Sequence, residues 1–575
     1  MTYKSLEHCI SELQKKGEVV KIKKEVDPNL EMASIHLNEF REDGKVLFFE
    51  NIMGTDFRAV SNLFGNLQRS RFIFKDSLDK VQQLIKLRTN PKEAFKNPIK
   101  TILTAFYALY AIPKKVSFPS SFIEKKIEDL PQIKCWKDDG GSFITLPQVY
   151  SEDPNNPGIM NSNLGMYRIQ ISGNEYVKNN EIGLHYQIHR GIGVHQKNAI
   201  KKGVEPLKVS IFIGGPPAHT FSAVMPLPEG ISELSFAGVL AGRRFRYAKK
   251  DGYTISTDAD FVICGDLYSK DIKPEGPFGD HLGYYSLTHN FPYLRVKKVY
   301  AKKNAIFPFT VVGRPPQEDS QFGKLIHEIT GKAVEKEIPG LLELNAVDES
   351  GVHPLLLAIG SERYTPFKKT KKPQELLTIA NHILGTGQLS LAKYVFICDE
   401  ERAPSVYEKE SFFTHFLAIV DWERDMHFYT KTTIDTLDYS SDKLNEGSKV
   451  VIAAAGCVKR KLSDNIDFLP LPSNFSNGKL VSKGNLIIQG KGDIEELIVF
   501  LQKQNLDGIG LITLVDDSDF VSKDFSNWLW VTFTRSNPAS DIYGLNTRIV
   551  DKHFSCDLPI IDARTKEHHA PILER

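Results

Sequence analysis

The N-terminal part of the chain alternates between helical and strand-like patterns of apolar residues. Residues 5–18, SLEHCISELQKKGE, repeat their apolar positions at helical spacing, whereas residues 19–26, VVKIKKEV, are typical of a strand. Residues 45–52, KVLFFENI, are almost continuously apolar, which predicts a buried strand. Residues 70–130 are rich in lysine and have a mainly helical pattern. We therefore expect the first 125 residues to form an α/β region.

The pattern changes between about residue 140 and residue 315, where short runs of β-branched and aromatic residues are separated by Gly, Pro and Asn. Such closely spaced strands predict a β-barrel or a β-sandwich. One helix is expected within this region, over residues 232–242, with Ser232 as its N-cap. The predicted strands lie in the segments FITLPQVY, MYRIQIS, IGLHYQIH, LKVSIFIGG, DFVICGD, LRVKKVYA and FPFTVVG.

Helices and strands alternate again from about residue 320 to the C-terminus. ELLTIANHILG predicts a helix that ends at Gly385, and AKYVFICDEE predicts a strand followed by acids. GIGLITLVDDSD, further along the chain, has the same strand-then-acid pattern, and the segments that follow the two strands are also similar. This region is therefore either an internal duplication or two α/β units that resemble each other by chance.

The composition narrows the class of protein. With 575 residues, 41% of them hydrophobic and 25% charged, the chain has room for several domains and the composition of a globular protein. A net charge of +2 gives no support for binding to nucleic acid. No apolar run is long enough to cross a bilayer, and no secretory signal is visible. The six cysteines are scattered and never form a CxxC pair, which favours a reducing cytoplasm.

Residues 274–285, PEGPFGDHLGYY, place two carboxylates on either side of a Gly-Pro-Phe-Gly segment. Gly and Pro favour a turn here, so we expect Glu275 and Asp280 to lie near each other. One interpretation is a solvated surface turn that is anchored by its aromatic residues. The other is a pair of carboxyl groups with separated pKa values, one of which is protonated near neutral pH and transfers a proton. This segment alone leaves both interpretations open.

A Gly-Ile-Gly segment follows Arg190, and two histidines, His189 and His195, lie close to it. The segment lacks the third glycine and the following helix of a dinucleotide-binding site, which excludes that interpretation. The histidines do not have the HExxH spacing of a zinc protease, and each is by itself more typical of a structural residue. The sequence also contains neither a GxSxG elbow nor a P-loop, so serine hydrolases and P-loop NTPases have no support.

Some polar residues are of the types that bind a hard divalent ion next to a phosphate. Such an ion takes oxygen ligands and occasionally an imidazole, and phosphate and water fill the remaining positions. Asn163, His189 and Glu233 provide these groups, although the sequence alone does not place them together.

Four motifs, in order along the chain, resemble those of the UbiD family of reversible aromatic and acrylic acid decarboxylases. They are NLGMYRIQ, HRGIGVH, ISELSFAGVLAG and EGPFGDHLGYY. Outside them, KVLFFENIMGTDFRAVSNLFGN, CWKDDGGSFITLP and GRPPQED also resemble the family, and AKYVFICDEE, WERDMHF and TRSNPASDIY do so more loosely. The resemblance covers nearly the whole chain, and four motifs in register are far more specific than any one of them.

The resemblance implies an α+β fold in which a central split β-barrel binds a flavin. We expect an N-terminal α/β region over residues 1–125, the barrel over residues 126–320, and a C-terminal α/β domain over residues 321–575. Members of the family form dimers or hexamers, so a homodimer or homohexamer is expected.

The cofactor implied by the resemblance is prenylated FMN, supplied by a flavin prenyltransferase and held through its phosphate by a manganese-type ion and a potassium ion. The implied divalent-metal ligands are Asn163, His189 and Glu233, and the implied backbone ligands of potassium are Ser222, Ala223 and Met225. The implied flavin-binding residues are Met166, Tyr167, Arg168, His185, Tyr186, Gln187, Arg190, Gly191 and, as a phosphate contact, Lys393.

The resemblance also implies a catalytic set of Arg168, Glu275 and Asp280. The family has Glu-Arg-Glu here, and Asp280 replaces the second Glu, as in quinone-pathway members of the family. Because Asp is one methylene shorter, proton delivery would require a slightly different approach to the substrate. We expect Asp280 to be the proton donor and Glu275 to hold the geometry through Arg168.

The function implied is reversible, non-oxidative decarboxylation of an aromatic carboxylic acid, with release of CO2, in ubiquinone or menaquinone biosynthesis. A benzoate-type or naphthoate-type substrate suits this route. One alternative is a decarboxylase or carboxylase that acts on another aromatic acid in degradation. The other is a flavin-binding subunit without turnover, which the intact set of Arg168, Glu275 and Asp280 disfavours.

Overall fold

The computed structural model describes residues 3–42, 44–89, 92, 101, 104, 106–186, 191–227, 232–365, 367, 371–466 and 469–573, without the side chains of residues 88, 89 and 331–336. The chain divides into two compact units. The first comprises Met1–Ala333 and Ile572–Arg575, and the second comprises Val334–Pro571.

The first unit begins with a small α/β layer. Its four-stranded sheet has the order β1-β2-β3-β18, and the second strand is buried along its whole length, as its apolar pattern predicts. The first helix has Ser5 as its N-cap, whose side chain accepts a hydrogen bond from the His8 amide. The elements are α1 (Leu6–Lys15), β1 (Val19–Ile22), α2 (Glu31–Arg41), β2 (Val46–Phe49), β3 (Arg58–Ser61), α3 (Leu67–Phe74), α4 (Leu78–Thr89) and, much later in the chain, β18 (Ile306–Phe309).

The centre of this unit is a curled, nine-stranded sheet in the order β6-β9-β10-β17-β14-β11-β7-β8, with β5 paired to β17. Its two longest strands, β14 and β17, form an extended antiparallel pair in which Glu275 is opposite His289. The strands are β5 (Phe122–Lys125), β6 (Phe143–Ile144), β7 (Gln148–Glu152), β8 (Ser162–Gly165), β9 (Ile169–Gln170), β10 (Glu181–Leu184), β11 (Leu207–Ile213), β14 (Phe261–Glu275) and β17 (His289–Lys302). The predicted α+β fold with a strand-rich centre is confirmed.

Three helices and two smaller sheets surround the curled sheet. Ser232 caps the helix predicted over residues 232–242, and Gly242 ends it with φ of 59°. The elements are β4 (Lys114–Lys115), β12 (Arg246–Lys250) and β13 (Tyr253–Ser256) in one sheet, the hairpin β15 (Phe278–Gly279) and β16 (Tyr285–Ser286), and the helices α5 (Gly191–Lys202), α6 (Pro217–Val224) and α7 (Glu233–Ala241).

Several details of the sequence prediction were wrong. Gly191 begins α5, so the Gly-Ile-Gly segment opens a helix, although the sequence analysis expected no helix there. The buried residues of that helix (Ile192, His195, Gln196 and Ala199) do follow helical spacing, but its two glycines obscured the pattern. FPFTVVG provides β18, which pairs with β3 in the N-terminal sheet rather than with the barrel. The helical pattern expected up to residue 130 gives way to β4 and β5.

The second unit contains two five-stranded sheets. The first has the order β19-β20-β21-β23-β22, and the second has the order β24-β25-β26-β30-β27. Elements of the first are β19 (Leu341–Ala346), β20 (Leu355–Gly360), α9 (Glu375–Leu384), β21 (Tyr394–Asp399), α10 (Lys409–Ile419), β22 (Met426–Thr433) and β23 (Glu446–Ala454). Elements of the second are β24 (Phe475–Ser482), β25 (Asn485–Gly490), α11 (Ile494–Leu501), β26 (Leu511–Val515), α12 (Ser518–Ser522), α13 (Phe525–Arg535), α14 (Pro538–Asp541), β27 (Ile542–Leu545), the hairpin β28 (Arg548–Val550) and β29 (His553–Ser555), and β30 (Leu558–Asp562). The remaining helix, α8 (Glu318–Glu337), crosses the boundary between the two units.

The two sheets of the second unit have the same strand directions and the same register. Across the first sheet, the third residues of β20 and β21 align with Ile452 of β23 and with the first residue of β22. Across the second sheet, the third residues of β25 and β26 align in the same way with Ile561 of β30 and with the first residue of β27. The aspartate before each outer strand also accepts the amide four residues earlier, at 2.9 Å for Asp425 and 2.6 Å for Asp541.

None of the six cysteines, all of them in the described part of the chain, forms a disulfide. Within the described residues, no helix combines the length and apolarity needed to cross a membrane.

Candidate active site

The turn after β14 carries the two predicted acids. Glu275 is the last residue of that strand, and Gly276, with φ of 90°, turns the chain in a backbone region that favours glycine. Asp280 follows β15, so the tip of the long β14–β17 pair presents both carboxylates. Their side chains are 0% and 9% exposed, which excludes the solvated surface turn.

Arg168 joins the two acids. It lies between β8 and β9, and its guanidinium makes a bidentate contact with Glu275, Nε to Oε1 at 2.8 Å and Nη2 to Oε2 at 2.7 Å. Its third nitrogen, Nη1, donates to Asp280 Oδ2 at 2.5 Å. The guanidinium also lies 4.8 Å from the centre of the Phe278 ring, and 7% of the arginine side chain is exposed. The structure therefore brings the three predicted catalytic residues into one buried network.

The charges in this network lower the pKa of both acids. Burial alone would raise the pKa of Glu275, but the Arg168 guanidinium holds it below its usual value. Burial would also raise the pKa of Asp280, but the adjacent His281 and then Arg168 outweigh it, so this pKa is lowered as well. The interpretation in which one acid is protonated near neutral pH counted burial and omitted His281, which together with Arg168 lowers the pKa of Asp280 instead.

His281 is a contact of Asp280 that the sequence analysis did not assign to the site. Its backbone amide donates to Asp280 Oδ1 at 2.7 Å, and its ring Nδ1 lies 2.8 Å from the same oxygen. The histidine side chain is 24% exposed. Only its position directly after Asp280 in the sequence indicated a role, because a side chain and the following amide are close enough to contact each other.

The described residues of the predicted flavin site lie on or beside neighbouring strands of the curled sheet. Met166 and Tyr167 precede Arg168 between β8 and β9, and His185 and Tyr186 follow β10. The His185 ring lies 4.1 Å from that of Phe291, and its amide donates to Arg168 O at 3.4 Å. Gln187 and Arg190, also predicted to bind flavin, lie outside the described residues.

Gly191 lies directly against one of the predicted metal ligands. A Cβ atom at this position would be 2.2 Å from Asn163 Oδ1, so only glycine allows the chain to approach Asn163 this closely. The Asn163 amide in turn donates to the Tyr167 hydroxyl at 3.1 Å. These contacts bring a predicted metal ligand and two predicted flavin contacts together.

Glu233, at the N-terminus of α7, is near Asn163 because its Oε2 accepts the Leu164 amide at 3.2 Å. Burial raises the pKa of Glu233, and within the described residues no Lys or Arg forms an ion pair with it. A buried carboxylate close to the strand that carries Asn163 suits a hard divalent cation. His189, the third predicted ligand, lies outside the described residues.

The predicted potassium ligands are buried at and just after the end of α6. Each of their carbonyl oxygens accepts a backbone amide: Ser222 O from Met225 at 3.3 Å, Ala223 O from Met166 at 2.9 Å, and Met225 O from Leu227 at 2.9 Å. A carbonyl oxygen has a second lone pair, so a potassium role stays a prediction.

Lys393 lies in the second unit, directly before β21. It is 0% exposed and donates to Asp438 and Ser440, each at 2.8 Å. Burial lowers the pKa of Lys393, and the Asp438 carboxylate opposes that shift. Its contact with a cofactor phosphate stays a prediction.

Comparison with family models matches three consecutive parts of the chain. Residues 10–88 match the N-terminal domain of 3-octaprenyl-4-hydroxybenzoate carboxy-lyase, residues 115–315 its Rift-related domain, and residues 320–454 its C-terminal domain. The second five-stranded sheet lies after these matches.

A relative in sequence and two solved structures are also similar to this chain. A protein of Chlamydia pneumoniae that is named as a subunit of 4-hydroxybenzoate decarboxylase is 34% identical over 99% of this chain and 95% of the relative. Vanillic acid decarboxylase of Sedimentibacter hydroxybenzoicus in closed form has a TM-score of 0.66 at 22% identity, over 82% of this chain and 96% of that chain. An evolved dimeric form of the UbiD-class enzyme HmfF of Pelotomaculum thermopropionicum, in complex with prFMN, has a TM-score of 0.59 at 19% identity, over 81% of this chain and 97% of that chain.

The fold and the family matches define this protein as a carboxy-lyase, an enzyme that removes a carboxyl group as CO2. Because a relative is more than 30% identical along almost the full length of this chain, the family within this class can also be stated. The chain belongs to the UbiD family of 3-octaprenyl-4-hydroxybenzoate carboxy-lyases.

The metal assignment predicts a loss of bound metal when Glu233 is replaced. Glu233→Ala removes the charged oxygen donor and should weaken retention of divalent metal and of flavin by at least ~10-fold. Metal and flavin per chain should be measured on the purified protein by elemental analysis and absorbance. Glu175→Ala, at an exposed position of the same unit, is the control and should keep both. Full metal and flavin content in Glu233→Ala would show that the assignment is wrong.

Proposed function

We propose that this protein is a prenylated-FMN-dependent decarboxylase of an aromatic carboxylic acid in quinone biosynthesis. The observation that carries the proposal is the buried network in which one guanidinium, that of Arg168, holds two carboxylates. An aromatic acid of the benzoate or naphthoate type is the substrate, and CO2 is released. The aspartate at position 280 agrees with a quinone route.

The residues around Arg168 suit a phosphorylated flavin. Met166, Tyr167, His185 and Tyr186 would hold it, and Gln187, Arg190, Gly191 and Lys393 extend the same proposed set. Asn163, His189 and Glu233 would bind a manganese-type ion at its phosphate, and Ser222, Ala223 and Met225 a potassium ion. When bound, prenylated FMN supplies the electron sink that CO2 loss from an aromatic ring requires.

Arg168 orients the reacting groups. Its planar guanidinium is fixed on two sides by Glu275 and on the third by Asp280, which leaves little freedom for rotation. Glu275 is the acid that keeps its charge, because it accepts both hydrogen bonds of a bidentate pair and the Arg168 guanidinium outweighs its burial.

Asp280 moves the proton. After the bond between the ring carbon and the carboxyl group breaks, that carbon needs a proton, and a carboxyl group close to it provides the proton from its oxygen. Because the resting pKa of Asp280 is lowered, it must first take up a proton. His281, which contacts Asp280 Oδ1 and is partly exposed, provides the connection to solvent.

The wider assignments also belong to this proposal. We place domain boundaries after residues 125 and 320, and we infer that the C-terminal domain contains an internal duplication, supported by the shared register of its two sheets. The protein acts as a homodimer or homohexamer and receives its cofactor from a flavin prenyltransferase. A second candidate function is decarboxylation of a hydroxybenzoate as one subunit of a multi-subunit enzyme. The name of the Chlamydia pneumoniae relative favours it.

The function is tested by producing the protein with and without a flavin prenyltransferase. With it, we expect the mass of prenylated FMN in the purified protein and release of CO2 from an aromatic acid. Without it, CO2 release should fall to background, because unmodified FMN lacks the electron sink. A panel of hydroxybenzoates and naphthoates shows which class of aromatic acid is decarboxylated. Equal release from both preparations would contradict the proposal.

Replacement of Asp280 tests the proton donor. Asp280→Asn keeps the size of the side chain but provides no acidic proton, so turnover should fall by ~10²–10⁴-fold with flavin content unchanged. Exchange of the product-ring hydrogen in deuterated water should fall in parallel, because it uses the same proton. Both are measured on holoenzyme, by CO2 release and by NMR. If the variant exchanges that hydrogen at the wild-type rate, Asp280 is not the donor.

A further inference from the structure

The backbone of the turn between Glu275 and Asp280 is held almost completely by hydrogen bonds from other segments. At the Glu275 end, the Gly276 amide donates to Gln170 Oε1 at 2.9 Å, and Gly276 O accepts from Asn174 Nδ2 at 2.8 Å. Gln170 belongs to β9, and Arg168 directly precedes that strand, two residues before Gln170. The segment that carries Arg168 therefore also holds the turn.

At the Asp280 end of the turn, the segment of residues 135–141 provides the hydrogen bonds. The Gly140 amide donates to Pro277 O at 2.7 Å, and the Gly279 amide donates to Asp139 Oδ1 at 2.7 Å. The Asp280 amide donates to Tyr284 O at 3.0 Å. Two successive peptide planes before the Asp280 side chain are thus fixed, the first of them by Asp139.

Asp139 is a buried acid whose two oxygens accept backbone amides from both the segment and the turn. It is 4% exposed, and its other oxygen, Oδ2, accepts the amides of Trp136 at 2.9 Å and Cys135 at 3.2 Å. Within the described residues, no Lys or Arg forms an ion pair with it. A buried carboxylate is costly unless hydrogen bonds compensate it; three backbone amides do so in part, and burial still raises the pKa of Asp139 to about 6.

The segment and the turn also fit each other sterically. A Cβ atom at Gly279 would be 2.0 Å from Trp136 Cδ1, and a Cβ at Gly140 would be 2.1 Å from Gly276 O. Such contacts are compatible only with glycine at both positions. The segment therefore packs directly against the turn, and the hydrogen bond from the Gly279 amide to Asp139 joins the two.

We propose that Asp139 is a positioning residue for decarboxylation, which fixes the peptide between Phe278 and Gly279 and so holds the Asp280 carboxyl group at a set distance from Arg168 and the substrate. The proposal rests on the proposed function. A proton donor must lie within hydrogen-bond reach of the reacting carbon, and a displacement of about 1 Å can cost ~100-fold in rate. A residue that fixes this geometry affects turnover more than substrate binding.

The test compares Asp139→Asn with Asp138→Asn in full-length holoenzyme. Asp139→Asn is nearly isosteric, but it replaces one carboxylate oxygen with an NH2 group. That group cannot accept the hydrogen bond of the backbone amide that faces it. We expect turnover per bound flavin to fall by at least ~10-fold with KM within about threefold of wild type, the split of a transition-state rather than a binding effect. Asp138 is exposed, and its variant should match wild type in both parameters. Asp139→Glu, which keeps a charged acceptor, should recover part of the rate.

A second readout does not depend on activity. Hydrogen exchange of peptides covering residues 276–286 should be followed by mass spectrometry. We expect the Gly279 amide to exchange at least ~10-fold faster than in wild type in Asp139→Asn, and at the wild-type rate in Asp138→Asn. If wild type has no decarboxylase activity, the proposed function fails, and with it the positioning role, although the exchange data still report whether Asp139 holds the turn. If exchange rises while turnover per flavin is unchanged, or if turnover falls only in proportion to lost flavin, Asp139 is merely structural. Failure of both Asp139 variants to fold would lead to the same conclusion.

Discussion

The bidentate pair between Arg168 and Glu275 is the interaction on which the rest of the site depends. Both groups are almost fully removed from solvent, so neither charge is stable there without the other. Removing one partner of such a pair typically costs ~3–5 kcal/mol, because the remaining charge stays buried. Asp280 adds a second negative charge to one guanidinium, and it is tolerated because His281 and a backbone amide share it. Arg168, Glu275 and Asp280 therefore have few other arrangements in which every buried charge stays paired.

The fold makes this network possible by bringing together segments that are distant in sequence. Arg168 comes from the β8–β9 connection, and the two acids come from the tip of the β14–β17 pair more than a hundred residues later. Gln170 and Asp139 attach that tip to β9 and to the segment before β6. Rigid strands, rather than loops alone, therefore set the distances among the three proposed catalytic groups. The same curled sheet carries Asn163 and the described flavin-site residues.

The sequence predicted the outline of the fold because its periodic signals were strong in the places that define it. The buried strand at KVLFFENI, the helix capped by Ser232 and the turn at Gly276 all carry local patterns that depend on few neighbours. The helix that begins at Gly191 was missed because glycine is a poor helix former, and only tertiary packing of its buried face stabilises it there. The resemblance to known decarboxylases, rather than spacing, brought Arg168 together with the acids. The sequence could not predict that His281 lowers the pKa of Asp280 or that Asp139 holds Gly279, because both depend on side-chain geometry at the tip of a hairpin.

The most direct test of this account is the turnover of Arg168→Lys holoenzyme that carries the wild-type amount of flavin. Lysine keeps the positive charge but cannot contact a carboxylate through two parallel hydrogen bonds while also reaching a second one. Arg295→Lys is a matched control, since Arg295 makes a bidentate pair with Asp271 in the same sheet but is half exposed. We predict that decarboxylation per bound flavin falls by more than ~10-fold, or about 1.4 kcal/mol in barrier, in Arg168→Lys and stays unchanged in the control. Near wild-type turnover in Arg168→Lys would contradict the account, because the network would then not need the guanidinium.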